Sequence, residues 1–447
     1  MFTPHPYFPH TQSDIDAMLQ RCGASSMEDL YSDVQAGLRL KAPYALPQAM
    51  SELELRDFFA RLDGENRSLK CFAGAGVYHH CTPAALDSLL ARSEFLTAYT
   101  PYQPEVSQGT LQYIFEYQSM MCELTGLEVS NASLYDGTTA TAEAMLMCVA
   151  AARRKKRVLI SATVNPAVAQ VCATYARWHG IALETVPEKD GVTCRESLRE
   201  MLGSGDVAGV IVAQPNYYGI VEDHEGLADE VHAAKSLLAM NCVASTLGVL
   251  RSPGEWGADI AMGDAQSLGM PMNYGGPYLG YMCTTRTLMR KMPGRIVGAT
   301  TDGNGQRVFV LTLQAREQHI RRDKATSNIC SNQGLMSLHC AVYLSLLGTK
   351  GLTEINEVGC HNAHILAAKL SATDKMALAY PDRPFLNEFM MRMADGYTAC
   401  SVIKAGLAEG ILAGVEIAPD LLLVACTEMQ TAADIERYVS FVNKLKQ

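Results

Sequence analysis

The sequence predicts an α/β protein with a large, mostly parallel sheet covered by helices and a smaller α/β domain towards the C-terminal end. Strand-like and helix-like segments alternate from residue 158 to residue 263, which is the order of βαβ units in a parallel sheet. The segment 207–213 is a continuous apolar run, as expected for a strand that is buried on both faces. The chain has 447 residues, of which 48% are hydrophobic, so it can bury a substantial core.

Three parts are expected along the chain: a helical arm over residues 1–70, a large domain over 71–345 and a small α/β domain over 346–447. In the arm, Thr11 followed by Asp14 and Ser51 followed by Glu54 form capping-box pairs, and apolar residues at helical spacing come after each pair. Because such an arm is too thin to form its own core, we expect it to lie over a neighbouring surface, in this chain or in a partner.

The elements of the large sheet are predicted in a regular order. Strands are expected at 158–161, 181–186, 207–213 and 258–262, and helices at 166–179, 196–202 and 227–238. An apolar helix at 333–347 leads to the small domain, where strands are expected at 385–391, 411–417 and 421–426, before a helix that opens at Thr431. In sheets of this kind, binding sites lie at the carboxyl ends of the strands.

Composition and charge argue against several classes of function. The net charge is −10, which disfavours nucleic acid as a partner, and the basic run at 153–157 is best explained as a helix end that enters a strand. The fourteen cysteines are dispersed without any metal-ligand spacing, so we expect no metal and reduced thiols in a cytoplasmic protein. There is no signal-peptide pattern and no run of eighteen apolar residues, so no membrane association is expected.

A loop from residue 97 to residue 109 is the most polar and aromatic candidate for a binding surface. Pro101 and Pro104 restrict its backbone, which lowers the entropy cost of holding one shape. The candidate binding residues that they hold are Tyr99, Thr100, Tyr102, Gln103 and Glu105, with Ser107 and Gln108 behind them. The alternative is a structural loop between domains whose hydrogen bonds are satisfied internally.

Two further segments could meet anions. The loop Tyr135, Asp136, Gly137, Thr138 and Thr139 opens an apolar helix, and a helix N-terminus offers free N–H groups and a positive dipole end. Thr and Asp are also ordinary N-caps, so this signal is weak alone. The basic segment at 286–322 could pair with anions at a subunit boundary, or it could be a solvated helix face with local ion pairs.

Five separated motifs, at 97–109, 131–140, 275–280, 290–297 and 312–332, resemble the P-protein family of the glycine-cleavage system. Within that family they are most similar to the first subunit of the two-subunit glycine dehydrogenase (decarboxylating). The resemblance implies a fold-type-I pyridoxal-phosphate (PLP) transferase, similar to aspartate aminotransferase. It also implies decarboxylation of glycine, with transfer of the aminomethyl group to the lipoyl arm of H-protein and release of CO2.

The same resemblance implies a partner, the second subunit, which carries the lysine-bound PLP, and it suggests a heterotetramer. The loop at 257–280 is similar to the one that normally carries the Schiff-base lysine, yet there is no lysine between Lys235 and Lys291. Gln266 or Ser267 stands near its place, and the segment 240–247 has no Asp to pair with the pyridinium nitrogen. No PLP is therefore expected on this chain, and the loop 135–139 would be a vestigial phosphate loop.

We hypothesise that the chain completes the site of the partner subunit. In this hypothesis the loop residues named above provide hydrogen bonds for the glycine carboxylate and aromatic walls for the lipoyl arm. One alternative is a purely structural or regulatory subunit that contributes no active-site groups. Another is a self-sufficient PLP enzyme with a displaced lysine, for which Lys324 is the candidate.

Overall fold

The computed structural model of the chain describes residues 7–42, 44–152, 154–325 and 327–446. Outside these ranges lie the first six residues, on which the signal-peptide prediction rests, Pro43, Arg153 of the basic run, Thr326 of the motif at 312–332, and Gln447. The chain divides after Arg67 into two units. The expected domain boundaries at residues 70 and 345 stay predictions.

The first unit is helical, as its capping pairs predict. The helices Gln12–Cys22 and Glu52–Glu65 each begin at a capping box, in which the Thr11 or Ser51 N–H donates to the carboxylate three residues on, at 2.7 Å in both cases. Short 3₁₀ helices, Met27–Tyr31 and Ala36–Leu38, lie between them. Of the described residues of this unit, only Leu19 is buried, so the unit has no core of its own.

A seven-stranded sheet forms the centre of the second unit. Its strands are β1 Val129–Ser130, β2 Arg157–Ser161, β3 Ala182–Val186, β4 Val207–Gln214, β5 Leu237–Cys242, β6 Ile260–Asp264 and β7 Gly280–Thr284. The spatial order is β1-β7-β6-β5-β4-β2-β3. From β6 to β3 every pairing is parallel, whereas β7 runs antiparallel to both β6 and β1. The predicted mostly parallel sheet is confirmed.

Helices cover both faces of this sheet, and successive strand residues face opposite cores. On β2, Val158 and Ile160 pack into one core, whereas Leu159 packs into the other, and all three are at most 2% exposed. The covering helices are Gln108–Thr125, Gly137–Ala151, Pro166–His179, Arg195–Leu202 and Leu227–Ala233. Burial on both faces explains why the strands of this sheet contain continuous apolar runs.

One prediction for this sheet was wrong. The helix expected at 227–238 ends at Ala233, and β5 begins at Leu237. Lys235 adopts a left-handed conformation with φ of 54°, which ends the helix. The following residues are apolar on both faces, a pattern that a buried helix and a buried strand share, so periodicity could not separate them.

The apolar helix predicted at 333–347 continues as Gly334–Ser371, with a kink at Gly348, whose φ is 60°. A left-handed φ is accessible to glycine without the steric cost that a Cβ would bring. By length and composition this helix could cross a membrane. However, Tyr343 before the kink and Leu366 after it are fully buried in two different protein cores.

Among the described residues, the second unit also contains one four-stranded sheet and three two-stranded ones, of which Glu188–Lys189 with Val192–Thr193 is the shortest hairpin. A hairpin consists of β8 Ile296–Thr301 and β9 Arg307–Thr312, and an antiparallel sheet has the order β10-β11-β13-β12. Its strands are β10 Met376–Leu378, β11 Glu388–Met393, β12 Val415–Ala418 and β13 Leu421–Ala425, covered by helices Ala399–Ala408 and Ala432–Asn443. The single strand predicted at 411–417 is interrupted, because Ile411–Leu412 pairs instead with Lys70–Cys71.

Candidate active site

A cavity of about 320 Å³ opens at the carboxyl ends of β4, β5 and β6, the sheet edge at which a βαβ fold places its binding site. Its wall includes Ala213, Cys242 and Asp264 from the strand ends, the loop 75–78, the N-terminal end of the helix Gly137–Ala151, and Glu388 of β11. Lysine, arginine and histidine are missing from the described residues that line it.

The helix N-terminus at this cavity is already bound to carboxylates of the chain itself. The Gly137 N–H donates to Asp264 Oδ2 at 2.9 Å, and the Thr139 N–H donates to Asp136 Oδ1 at 2.8 Å. A Cβ on Gly137 would lie 2.6 Å from the Asp264 nitrogen, so only glycine allows this approach. Burial raises the pKa of Asp264 to about 6, against the opposing effect of its backbone hydrogen bonds. The N–H groups of Gly137 and Thr139, which an anion at this helix end would use, are therefore already paired within the chain.

The other two residues of this loop also have internal partners. The Thr138 hydroxyl donates to Asp136 Oδ1, and the Tyr135 hydroxyl accepts a hydrogen bond of 3.1 Å from the Cys330 N–H. Asp136, Gly137 and Thr138 line the cavity, but Tyr135 and Thr139 do not.

The residues that stand near the place of the Schiff-base lysine are buried and used structurally. Gln266 Nε2 donates to the carbonyls of Tyr78 and Met270 at 2.8 and 2.7 Å, and its Oε1 accepts from the Tyr78 N–H at 2.8 Å. Ser267 Oγ accepts from the Ser245 N–H at 3.0 Å. Neither side chain lines the cavity, so both hold the surrounding loops together.

A buried glutamate in the cavity wall was missed by the sequence analysis. Glu388 Oε2 accepts from the Tyr78 hydroxyl at 2.8 Å, and its Oε1 accepts from the Ala75 N–H at 2.6 Å. Burial raises the pKa of Glu388 to about 7. Gly74 permits this arrangement, since a Cβ there would lie 2.1 Å from Glu388 Oε1. The group could exchange a proton near neutral pH.

Asn241, at the end of β5, lines the same cavity. Its side-chain amide donates to Thr141 Oγ1 at 2.7 Å. An amide carries no negative charge, so it cannot hold a cationic ring nitrogen in the way that a carboxylate does.

The loop at 97–109 lies beside the hairpin β8–β9 and outside this cavity. Tyr99 is 72% exposed, and its hydroxyl lies 3.0 Å from Ser331 Oγ. Tyr102 is 45% exposed and accepts a hydrogen bond of 3.1 Å from Arg295. Gln103 and Glu105 are exposed and Thr100 is half-buried.

The end of this loop is fixed to the hairpin. Gln108 exchanges hydrogen bonds with the backbone N–H and carbonyl of Phe309 at 2.9 and 3.0 Å, and also donates to the Pro104 carbonyl. Ser107 is half-buried and directly precedes the helix Gln108–Thr125. The structure thus presents the aromatic and acidic side chains outwards from an anchored base, while their role stays a prediction.

The proposed displaced lysine is not part of the cavity. Lys324 is exposed and lies in the short 3₁₀ helix Arg322–Lys324, rather than after a strand of the large sheet.

Solved structures identify the class of fold. A sphingosine-1-phosphate lyase from Burkholderia pseudomallei superposes with a TM-score of 0.66 at 15% identity, covering 92% of this chain and 94% of that one. The protein has the fold of the fold-type-I PLP-dependent enzymes, as the motifs predicted.

Closer relatives identify the family. The family model described as glycine cleavage system P-protein matches residues 5–442. A probable glycine dehydrogenase (decarboxylating) subunit 1 from Moorella thermoacetica is 46% identical over 439 residues, covering 97% of this chain and 98% of the relative. A crystal structure of glycine decarboxylase (P-protein) in inhibitor-bound form superposes with a TM-score of 0.89 at 40% identity, covering 98% and 100%. The chain belongs to the glycine cleavage system P-protein family.

The residues of this cavity do not fit the cofactor that the fold class implies. The side chains near the expected place of the lysine, Gln266 and Ser267, are buried and hydrogen-bonded, and Asn241 offers no carboxylate for the ring nitrogen. The helix N-terminus that would receive the phosphate is bound to Asp264, and a second anion there would meet a carboxyl oxygen. At each of these three places the residues of this chain are bonded to one another in a way that does not suit PLP.

Proposed function

We propose that this chain is the cofactor-free subunit of a two-subunit glycine decarboxylase. Together with a partner subunit that carries PLP, it decarboxylates glycine, releases CO2 and passes the aminomethyl group to the lipoyl arm of H-protein. The relatives' names support the decarboxylation of glycine, and the transfer to H-protein is what the family resemblance implies. The assignment of PLP to the partner rests on Gln266. This side chain lies near the expected place of the lysine, is buried, and uses both its amide oxygen and its amide nitrogen in hydrogen bonds. A cytoplasmic location belongs to the same proposal.

In this proposal the loop at 97–109 is the chain's contribution to catalysis. Its exposed tyrosines and Glu105 extend from a base that Gln108 anchors to β9, so they can reach into a site on another subunit without losing their geometry. Tyr99, Thr100, Tyr102 and Gln103 supply hydrogen bonds for the carboxylate of glycine. The aromatic rings line the path of the lipoyl arm and exclude water from it.

The test separates the chain from its partner. The purified chain is incubated with PLP, treated with borohydride and analysed for a reduced cofactor–lysine adduct, first alone and then with the partner subunit. We expect no adduct on this chain, an adduct on the partner, and glycine–CO2 exchange only in the mixture. Mass spectrometry of the separated subunits assigns the adduct.

A reduced adduct on one lysine of this chain, together with exchange by the chain alone, would contradict the proposal. Lys324→Arg would then be the first variant to make, because it keeps the charge and removes the amine.

A further inference from the structure

We infer that Arg295 is a positioning residue that turns the Tyr102 hydroxyl outwards as a hydrogen-bond donor to a carboxylate ligand. The inference rests on the proposed function, in which the loop at 97–109 serves the partner's site, and it names the group that orients this loop. It comes from a buried cation whose partners belong to three separate segments of the chain.

Arg295 precedes β8 and is only 3% exposed. Its Nη1 donates to the Cys330 carbonyl and, at 3.4 Å, to Asn332 Oδ1, while its Nη2 donates to the Tyr102 hydroxyl at 3.1 Å. The Glu317 carboxylate lies 3.5 Å from Nε, and that side chain is also buried. A planar guanidinium can direct Nη1 and Nη2 to these diverging acceptors while its charge pairs with Glu317, whereas an ammonium group does not offer this fixed fork of donors.

The chemistry of this contact fixes the direction of the tyrosine proton. A guanidinium has no acceptor, so in its bond with Arg295 the Tyr102 oxygen must accept. The hydroxyl hydrogen of Tyr102 is therefore free to point elsewhere, and 45% of the residue faces solvent. Tyr102 is thus presented as a donor.

The ring of Tyr102 is held on two sides. Arg295 Cζ lies 5.4 Å from the ring centroid, and His319 meets the ring edge-to-face with centroids 5.7 Å apart. These contacts fix the orientation of the ring, so its hydroxyl is held in one position.

Local charge indicates which kind of ligand accepts this hydrogen bond. Arg316, a half-buried cation, donates to the carbonyls of Leu313 and of Gly294, the residue before Arg295, while the Glu317 carboxylate lies 3.5 Å from Arg295 Nε. Two guanidinium groups against one carboxylate leave a positive surrounding, which favours an anion. A small carboxylate such as that of glycine fits a single outward O–H donor.

The experiment compares Tyr102→Phe, Arg295→Lys and the double variant in the complex with the PLP-bearing partner. Tyr102→Phe should raise the KM for glycine about tenfold, since it removes one hydrogen bond to a charged group. Its kcat should change less than about twofold, because the carboxylate charge disperses as CO2 leaves and the bond acts mainly on bound substrate. Arg295→Lys should raise KM to a similar extent, and the double variant should be no worse than the single ones, because both act on the same hydroxyl.

Tyr397→Phe is a matched control, because its hydroxyl also accepts from a cation, at 2.7 Å from Lys375 Nζ, but lies in the small sheet region. It should leave KM unchanged. An unchanged KM in Tyr102→Phe, or additive effects of Tyr102→Phe and Arg295→Lys, would overturn the inference; Tyr102→Phe decides it even if Arg295→Lys fails to fold. Failure of the proposed function looks different, because then the wild-type chain would not be needed for exchange by its partner.

Discussion

At the scale of single residues, the cavity wall combines two carboxyl groups whose burial opposes ionisation. Glu388 illustrates the consequence for stability. Its pKa is raised to about 7 in the folded chain from an ordinary value of 4.5, so between these values the folded state binds more protons than the unfolded state. Folding stability must therefore fall as pH rises from about 4.5 to about 7, and the full penalty is present above pH 7.

Replacing Glu388 by Gln should remove this dependence. The amide keeps the shape and can still pair with Tyr78 and the Ala75 N–H, but it does not ionise. The difference in free energy of unfolding between Glu388→Gln and wild type should therefore shift in favour of the variant by up to about 3 kcal/mol from pH 5 to pH 8, as the size of the pKa shift implies. Thermal unfolding of the complex at pH 5, 6, 7 and 8 measures it. Glu357→Gln, an exposed carboxylate, is the control, and parallel curves for wild type and Glu388→Gln would refute the assignment.

At the scale of elements, variants in the anchored loop at 97–109 can distinguish a catalytic role of this chain from a structural one. Its base is fixed by Gln108, while Tyr99 and Glu105 are exposed, so Tyr99→Phe and Glu105→Gln should leave the fold and the subunit association intact. If the loop serves the partner's site, each should lower kcat/KM for glycine by about tenfold or more. Size-exclusion chromatography of the mixed subunits checks association. Full activity in both variants would make the loop a structural element only.

Local sequence signals predicted the elements better than they predicted the site. Capping pairs and apolar runs identified both α-helices of the first unit and four of the seven strands of the large sheet, β2, β3, β4 and β6, whereas β5 was hidden inside a predicted helix. Glu388 and Arg295 could not be recognised, because their meaning depends on partners far along the chain: Glu388 meets Ala75 and Tyr78, and Arg295 meets Tyr102. Only the fold brings these groups together.

At the scale of the whole molecule, the features incompatible with PLP are spread over three elements that meet at one edge of the sheet. The loop after β6 carries Gln266 and Ser267 near the expected place of the lysine, Asn241 is the penultimate residue of β5, and the Gly137 N–H at the start of its helix donates to Asp264. Each contact is bonded to another part of the chain. The misfit to PLP therefore involves several elements of the cavity and not one position.

A lysine restored alone should consequently fail to make this chain a PLP protein. In Ser267→Lys the amine would replace a hydroxyl that accepts from the Ser245 N–H, while the Gly137 N–H would still be bound to Asp264 and Asn241 would still offer no charge to the ring nitrogen. We expect no borohydride-stable adduct in Ser267→Lys or Gln266→Lys, measured by mass spectrometry of the separated subunit after incubation with PLP. Adding Asp264→Asn and Asn241→Asp to Ser267→Lys should give the first detectable adduct, since the first weakens the internal cap and the second restores a charge for the ring nitrogen. Retained assembly with the partner subunit shows that each variant is folded. Stoichiometric trapping by either single lysine variant would mean that the phosphate and ring contacts are still available, and the cavity would then have to be regarded as a PLP site that lacks only its lysine.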